Sequence, residues 1–370
     1  MKKTPLHASH LDLNAKMAEF AGYDMPIQYP DGVMAEHNWT RESCGLFDVS
    51  HMGQVTLEGT ATTEFLEKLT PSTFNTLKDG KAKYSVLTNE DGGMVDDLIV
   101  TRISENKFFA VINAGCKDKD IEWMTKYLPQ GVVMSVLDTR ALVAIQGPKA
   151  EEVVKRVLNI DTNDQAYMSY AEHESDFGLL FVSRLGYTGE DGFEISVLED
   201  KATDLWNSLL ADEAVRPIGL AARDSLRLEM GYPLYGHDID ASTSPIEADI
   251  EWIMGKKANT NFIGAERVMK EAEQGANRKR VGVKITGRGV AREGAEILTP
   301  EGQKIGVLTS GGFSPTLQQA IGQGYVETAH AEEGKAVNVN VRGCNIEAMI
   351  TSMPFVEAKT KKPIKQNKAA

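Results

Sequence analysis

The sequence predicts an α+β protein whose C-terminal part is built from strands alone, and three observations carry that prediction. At 370 residues the chain exceeds what one hydrophobic core accommodates, so two or three domains are expected. A strand–glycine–helix unit occurs twice. Val55-x-Leu57-x-Gly59 is followed by Phe65, Leu66 and Leu69, and Val143-x-Ile145-x-Gly147 by Val153, Val154 and Val157 at the same offsets. That echo suggests a duplicated α+β region over residues 1–255. After a polar connector over 256–280, only short strand patterns remain over 281–356.

Each element has its own local signal. Gln54–Leu57 alternates as a strand, and Thr62–Leu69 carries its apolar residues on one helical stripe. Tyr84–Leu87 leads into Asn89-Glu90-Asp91-Gly92-Gly93, whose Asp-Gly step favours a hairpin turn. The return strand, Met94-Val95-Asp96-Asp97-Leu98-Ile99-Val100, is apolar on both faces yet holds two carboxylates, which a regular strand directs to opposite sides. A buried carboxylate without a partner is costly, so at least one of the two needs a specific partner, whether an ordinary Arg or Lys or a functional group.

Arg184–Ile195 has three glycines in seven residues, turn chemistry that allows backbone to approach a ligand closely. The alternation that follows places Glu194 on a strand just past the turn, either as a ligand-facing acid or as a solvated side chain of a plain hairpin. A helix is expected from about Gly219 to Met230, ended by Gly231 and Pro233. It sets Arg223 and Arg227 on one face, where carboxylates or an anionic ligand must offset their repulsion. Ser244-Pro245-Ile246-Glu247 reads as the start of a further helix that includes Trp252. An amphipathic helix is expected near 266–272, then strands at 281–285, 295–298, 305–309, 325–326, 337–341 and 346–350, forming a small barrel or a sandwich. The lysine run from 357 to 370 reads as a disordered, solvated tail.

The net charge of −13 disfavours nucleic acid as a partner, because phosphate neutralisation needs a basic face. No apolar run follows Met1-Lys2-Lys3, and none approaches the roughly 18 residues of a membrane span, so neither a secretory leader nor a membrane partner is expected. Cys44, Cys116 and Cys344 are too scattered for a framework and read as free thiols of a cytoplasmic protein. His51 has no ligand-type neighbour at metal spacing, and no metal site is suggested. There is no phosphate loop, His-Glu-x-x-His helix or nucleophile elbow. Single acids, an arginine pair and aromatics remain, a set suited to a planar hydrogen-bonding ligand.

Seven motifs in order resemble one family from about residue 4 to residue 356. They are Gly45-Leu-Phe-Asp-Val-Ser-His-Met-Gly53, Asn89-Glu-Asp-Gly-Gly-Met-Val-Asp-Asp97, Gly186-Tyr-Thr-Gly-Glu-Asp-Gly-Phe-Glu194, Ala222-Arg-Asp-Ser-Leu-Arg-Leu-Glu229, Leu234-Tyr-Gly-His-Asp238, Thr309-Ser-Gly-Gly-Phe-Ser-Pro315 and Met353-Pro-Phe-Val356. The set resembles the aminomethyltransferases, the T-proteins of the glycine cleavage system. The resemblance implies a duplicated folate-binding α+β region followed by a small β-barrel. It also implies transfer of a methylene group from an aminomethylated lipoyl carrier, the H-protein, to tetrahydrofolate with release of ammonia. It further implies that Asp97, rather than Asp96, orients the attacking amine, that Glu194 grips the pterin donor edge and that Arg223 touches folate. Tyr84, Asn113, Tyr187 and Trp252 stand at positions that line the folate site in relatives. The chain departs from the pattern after Val356, where Glu357-Ala358-Lys359-Thr360 stands in place of an aromatic found in some relatives. Two other readings use the same scaffold. One is a folate-dependent demethylase. The other is a non-catalytic folate-binding protein of the iron–sulfur maintenance type, whose Lys-Gly-Cys-Tyr-x-Gly-Gln-Glu signature is missing here.

Overall fold

Eleven strands form one sheet at the centre of the structure, a computed structural model that describes residues 1–255 and 259–362. From one edge to the other they run Val215–Pro217, Cys44–Asp48, Arg140–Gln146, Gly192–Leu198, Gly178–Arg184, Ser169–Ser175, Lys81–Thr88, Met94–Ser104, Lys107–Ile112, Gly53–Glu58 and Val133–Val136. All neighbours are antiparallel except the first pair. The sheet is nearly two sheets, because Ser169–Ser175 meets Lys81–Thr88 through the single pairing of Ser169 with Lys81.

The repeated sequence unit is a repeated structural unit. Gly53–Glu58 lies between two antiparallel partners and leads into the helix Thr62–Leu69. Arg140–Gln146 does the same and leads into Ala150–Leu158. The glycine between strand and helix has the same task in both copies. Gly59 (φ 152°) and Gly147 (φ 136°) adopt positive φ, and an added Cβ would stand 2.2 Å from the Gly131 carbonyl oxygen or 2.3 Å from that of Ser43. Each helix buries its stripe in its own core: Phe65, Leu66 and Leu69 against Val55, Leu57 and Phe108, and Val153, Val154 and Leu158 against Val143, Ile145 and Trp206.

The last six strands, Arg278–Ile285, Gln319–Glu327, Lys304–Ser314, Glu296–Leu298, Ala336–Val341 and Cys344–Thr351, close into a barrel, which decides between barrel and sandwich. Its interior is small and β-branched, with Val283, Ile297, Val339 and Ile350 buried. The helix Leu220–Glu229 joins sheet to barrel. Glu229 accepts from Arg41 on the sheet side and from Ser314 and Thr316 on the barrel side. Arg227 reaches Asp238 (2.8 Å) and the Ser310 hydroxyl (2.9 Å).

Three expectations need revision. Ser244 and Glu247 make both hydrogen bonds of a capping box (3.0 and 3.1 Å), but no α-helix follows. Asp249 turns to φ 56°, which ends the turn, and only the 3₁₀ segment Glu251–Met254 succeeds it. The connector is packed from residue 259 onward. Phe262 and Val268, the latter on the helix Ala265–Gln274, bury against Val86 and Met94, while Thr88 donates to the Ile263 carbonyl. Residues 256–258 lie outside the described residues.

The tail reading is also corrected for residues 357–362. The Lys359 amide donates to Gly189 O (2.8 Å), and the Tyr167 amide to Lys361 O (3.0 Å). Lys361 pairs with Glu151 (2.6 Å) and Lys359 with Glu190 (3.3 Å), so acids already on the body fix this segment as a strap. The remainder, residues 363–370, lies outside the described residues.

Candidate functional site

Where the two half-sheets almost part, a cavity of about 1330 Å³ opens, walled by both halves and by the barrel's Thr309, Ser310 and Gly311. Tyr84, Asp97, Asn113, Tyr187, Glu194, Arg223 and Trp252 all line it, although they come from six separate segments of the chain.

Strand register explains the first group. Tyr84 pairs with Ile99 and Val86 with Asp97, so Tyr84 and Asp97 are diagonal neighbours on one face. The Tyr84 hydroxyl donates to Asp97 Oδ2 (3.0 Å). Leu98 pairs with Ile112, which places Asn113, the next residue of that strand's chain, beside Asp97. The Asn113 amide Nδ2 donates to Asp97 Oδ1 (2.7 Å) and to Asp96 Oδ1 (3.0 Å), and its backbone N–H donates to Asp96 Oδ2 (3.1 Å). One asparagine at the strand end therefore serves both acids, where strand geometry alone had assigned them to opposite faces. Burial, and then the negative charge of Asp96, push the Asp97 carboxyl up to about 7, against the lowering effect of its Tyr84 and Asn113 hydrogen bonds.

Glu194 and Arg223 form the second group. No hydrogen bond or salt bridge from a described residue reaches the Glu194 carboxylate, and burial raises its pKa while Arg223 partly offsets that. The Arg223 Nη1 atom is buried without a hydrogen-bond partner among the described residues, and burial lowers the guanidinium's pKa. Its guanidinium lies 4.9 Å from the Tyr187 ring centroid. An acid without a donor and a guanidinium with a bare nitrogen, in one cavity, are the arrangement a polar ligand completes. Arg227, which the sequence set on the same helical face, is fully engaged by Asp224, Asp238, Ser310 and the Tyr232 carbonyl.

Gly186 lines the cavity, and the glycines of 186–192 also serve packing. A Cβ on Gly186 would fall 1.9 Å from Gln146 Oε1, and one on Gly189 (φ 79°) 2.1 Å from Met230 Sδ. They let the turn pack against protein, which sets the strand carrying Glu194 in place. Trp252 is 63% exposed and stacks on Tyr84 at 5.7 Å, so it forms the cavity mouth and not core.

The sequence favoured a packed or capping role for His51 over that of a ligand or base. In the structure His51 is 3% exposed and lines the cavity, with Nδ1 unpartnered among the described residues. Burial lowers its pKa to about 4 despite the nearby charge of Asp48, so the ring is neutral. Its position in Asp48-Val49-Ser50-His51 was visible, but its direction was not. Elsewhere the motif acids are structural hubs: Asp48 holds Thr4 (2.6 Å) and His10 (2.9 Å), and Asp238 holds Arg227, Thr309, Ser310 and Gln323.

Comparison with known proteins is consistent in both parts of the chain. The model of the GCVT N-terminal domain matches residues 6–258, and that of the glycine cleavage T-protein C-terminal barrel domain matches residues 278–357. An aminomethyltransferase from Chloroherpeton thalassium is 41% identical over 363 residues, covering 96% of this chain and 99% of that protein. A probable mitochondrial aminomethyltransferase from Schizosaccharomyces pombe is 42% identical over 363 residues, covering 96% and 93%. The crystal structure of the glycine cleavage system aminomethyltransferase T from Bartonella henselae superposes with a TM-score of 0.93 at 41% identity, covering 98% of this chain and 99% of that one.

Proposed function

Because the chain belongs to the aminomethyltransferase family, the T-proteins of the glycine cleavage system, and is a transferase on that ground, we propose that its cavity binds tetrahydrofolate as the methylene acceptor. The observation that carries this is a pair of polar groups in one cavity that find no hydrogen-bond partner among the described residues, the Glu194 carboxylate and Arg223 Nη1. A reduced pterin offers a ring N–H beside an exocyclic amine, two parallel donors that match a two-oxygen acceptor. Its ring also carries acceptors for a guanidinium. Tyr187, held by the Pro233 carbonyl, and Trp252 supply flat walls.

The acceptor's two secondary amines supply the chemistry: two new bonds to the methylene carbon form as its bonds to nitrogen and sulfur break, and two protons end on ammonia and the freed thiol. Asp97, aimed by Tyr84 and Asn113, orients the attacking amine and carries a proton toward the departing nitrogen. The pull of two hydrogen bonds against burial leaves its carboxyl near neutrality, where it can accept and release a proton. The apolar lining keeps water from a formaldehyde-like carbon. The donor is an aminomethylated lipoyl carrier protein whose arm enters by Trp252. Cys44 and Cys116 are buried free thiols, in keeping with a reducing compartment, for which we assign the cytoplasm. No helix among the described residues is long and apolar enough to cross a membrane.

The deciding experiment combines purified protein, tetrahydrofolate and aminomethylated carrier, with ammonia and methylenetetrahydrofolate followed together. Equal amounts of both products are expected. Turnover only with an N-methyl or sulfonium donor would replace this reading with a demethylase.

A further inference from the structure

Behind Asp97, and outside the cavity's polar machinery, lies a second group of acids. Asp96 and Asp120 are both 0% exposed, and with the Cys116 Sγ their ligand atoms all lie within 4.8 Å of one another. The environments of the two carboxyls are opposite in kind. Asp96 accepts two hydrogen bonds from Asn113, has the Cys116 sulfur close by, and stands at the amino end of the helix Lys117–Tyr127. Asp120, in the first turn of that helix, receives no hydrogen bond on either oxygen from the described residues. A dry carboxylate with no donor costs several kcal/mol, whereas a protonated one beside a carboxylate can donate to it.

We propose that Asp96 and Asp120 share a single proton, which resides on Asp120 and is donated to Asp96, and that Asp120 is thereby a positioning residue for Asp97. The shared proton stays within the pair through turnover. It keeps Asp96 a fixed, hydrogen-bonded anion that holds the Asn113 amide in place, and Asn113 in turn holds Asp97. Other groups facing the pair are consistent with one negative charge and not two. Asp97 adds an anion from the same strand. Lys119, on the helix, is engaged by the Val95 carbonyl and the Tyr235 hydroxyl, and the Tyr84 hydroxyl is committed to Asp97. Burial, followed by the charge of Asp96 and a hydrogen bond to it, moves the Asp120 carboxyl far above the carboxylate range, with Lys119 opposing. The effect on catalysis rests on the reading of Asp97 given above, but the proton itself does not.

Infrared spectroscopy of the free protein at pH 9, where Asp97 is ionised, tests the proton without folate or carrier. A carboxylic-acid C=O band is expected in the wild type and in Glu194→Gln, and is expected to vanish in Asp120→Asn. Identical spectra for wild type and Asp120→Asn would overturn the proposal. So would one equivalent of tightly held divalent metal in the wild type that Asp120→Asn lacks, since the pair would then be a cation site. The positioning role is read from pH profiles. Asp120→Asn, whose amide still donates to Asp96, is expected to keep the acid-side midpoint of turnover. Asp120→Ala leaves Asp96 without that donor and loosens Asn113, whose hydrogen bond holds the Asp97 carboxyl down, so the midpoint is expected to rise by half a pH unit or more with at least a tenfold loss of kcat. Equal midpoints in both variants would overturn the positioning role. If the alanine variant does not fold, the infrared comparison alone decides whether the proton exists, and a shifted midpoint in Asp120→Asn would still count against positioning.

Discussion

Asp97 combines burial, a neighbouring anion and two inbound hydrogen bonds, and its titration has consequences for both stability and rate. Its folded pKa is raised, so ionisation is penalised in the native state. The penalty is absent below the unfolded value of 3.8, grows as pH rises and is complete above about 7. Asp97→Asn is therefore expected to stabilise the protein by about 1–3 kcal/mol at pH 8, with the gain shrinking toward pH 5, as measured by denaturant unfolding. The same variant should bind tetrahydrofolate but lose about 10²–10⁴-fold in turnover, and the wild type should lose activity below pH 7 with one-proton dependence. Undiminished turnover in Asp97→Asn would remove the residue from the reaction. Glu194→Gln keeps one acceptor oxygen and removes the charge. A loss of about tenfold to a hundredfold in folate affinity by calorimetry is expected, with kcat at saturation changed less. The choice of Asp97 over Asp96 was not legible in strand periodicity. It came from the resemblance alone; in the structure Asp97 lines the cavity and Asp96 does not, while Asn113, sixteen residues after Asp97, reaches both acids.

At the scale of elements, local signals succeeded where the backbone decides and failed where tertiary contacts do. Gly59 and Gly147 repeat because the strand-to-helix turn leaves no room for a Cβ. Gly147→Ala is accordingly expected to cost at least about 2 kcal/mol in urea unfolding, far more than a glycine replacement in open solvent. The helix predicted from Ser244 has its capping box and still does not form, since Ile246, Ala248 and Ile250 bury in the wall around Val86 and Met94, and the chain turns at Asp249. Nothing in a lysine-rich tail announces that Glu151, Glu190 and the Gly189 carbonyl await it. Truncation after Val356 should speed amide exchange across residues 187–191 and lower stability by about 1–3 kcal/mol, and unchanged exchange there would mean the strap holds nothing.

For the whole molecule, the helix Leu220–Glu229 decides how sheet and barrel sit together. Its first turns deliver Arg223 to the cavity, while buried ion pairs hold Glu229 to Arg41 and Arg227 to Asp238, and hydrogen bonds to Ser310, Ser314 and Thr316 tie it to the barrel side. Arg227→Met leaves Asp238 buried without its guanidinium, and a loss of about 3–5 kcal/mol is expected, with calorimetry resolving barrel and sheet as separate transitions. A single cooperative transition would show that packing alone couples them. The architecture was largely readable from the doubled unit and the change to short strands. The junction was not, because Glu229, Asp238 and Gln323 are ordinary polar residues until the barrel closes over them.

The Tyr84–Trp252 stack gives this protein a built-in optical sensor. Of its four tryptophans, Trp252 alone lines the cavity, and Trp206 is fully enclosed elsewhere. Indole emission on titration with a ligand will therefore report from one known spot, and replacing that single ring with phenylalanine should silence the signal while leaving the other three fluorophores as an internal reference.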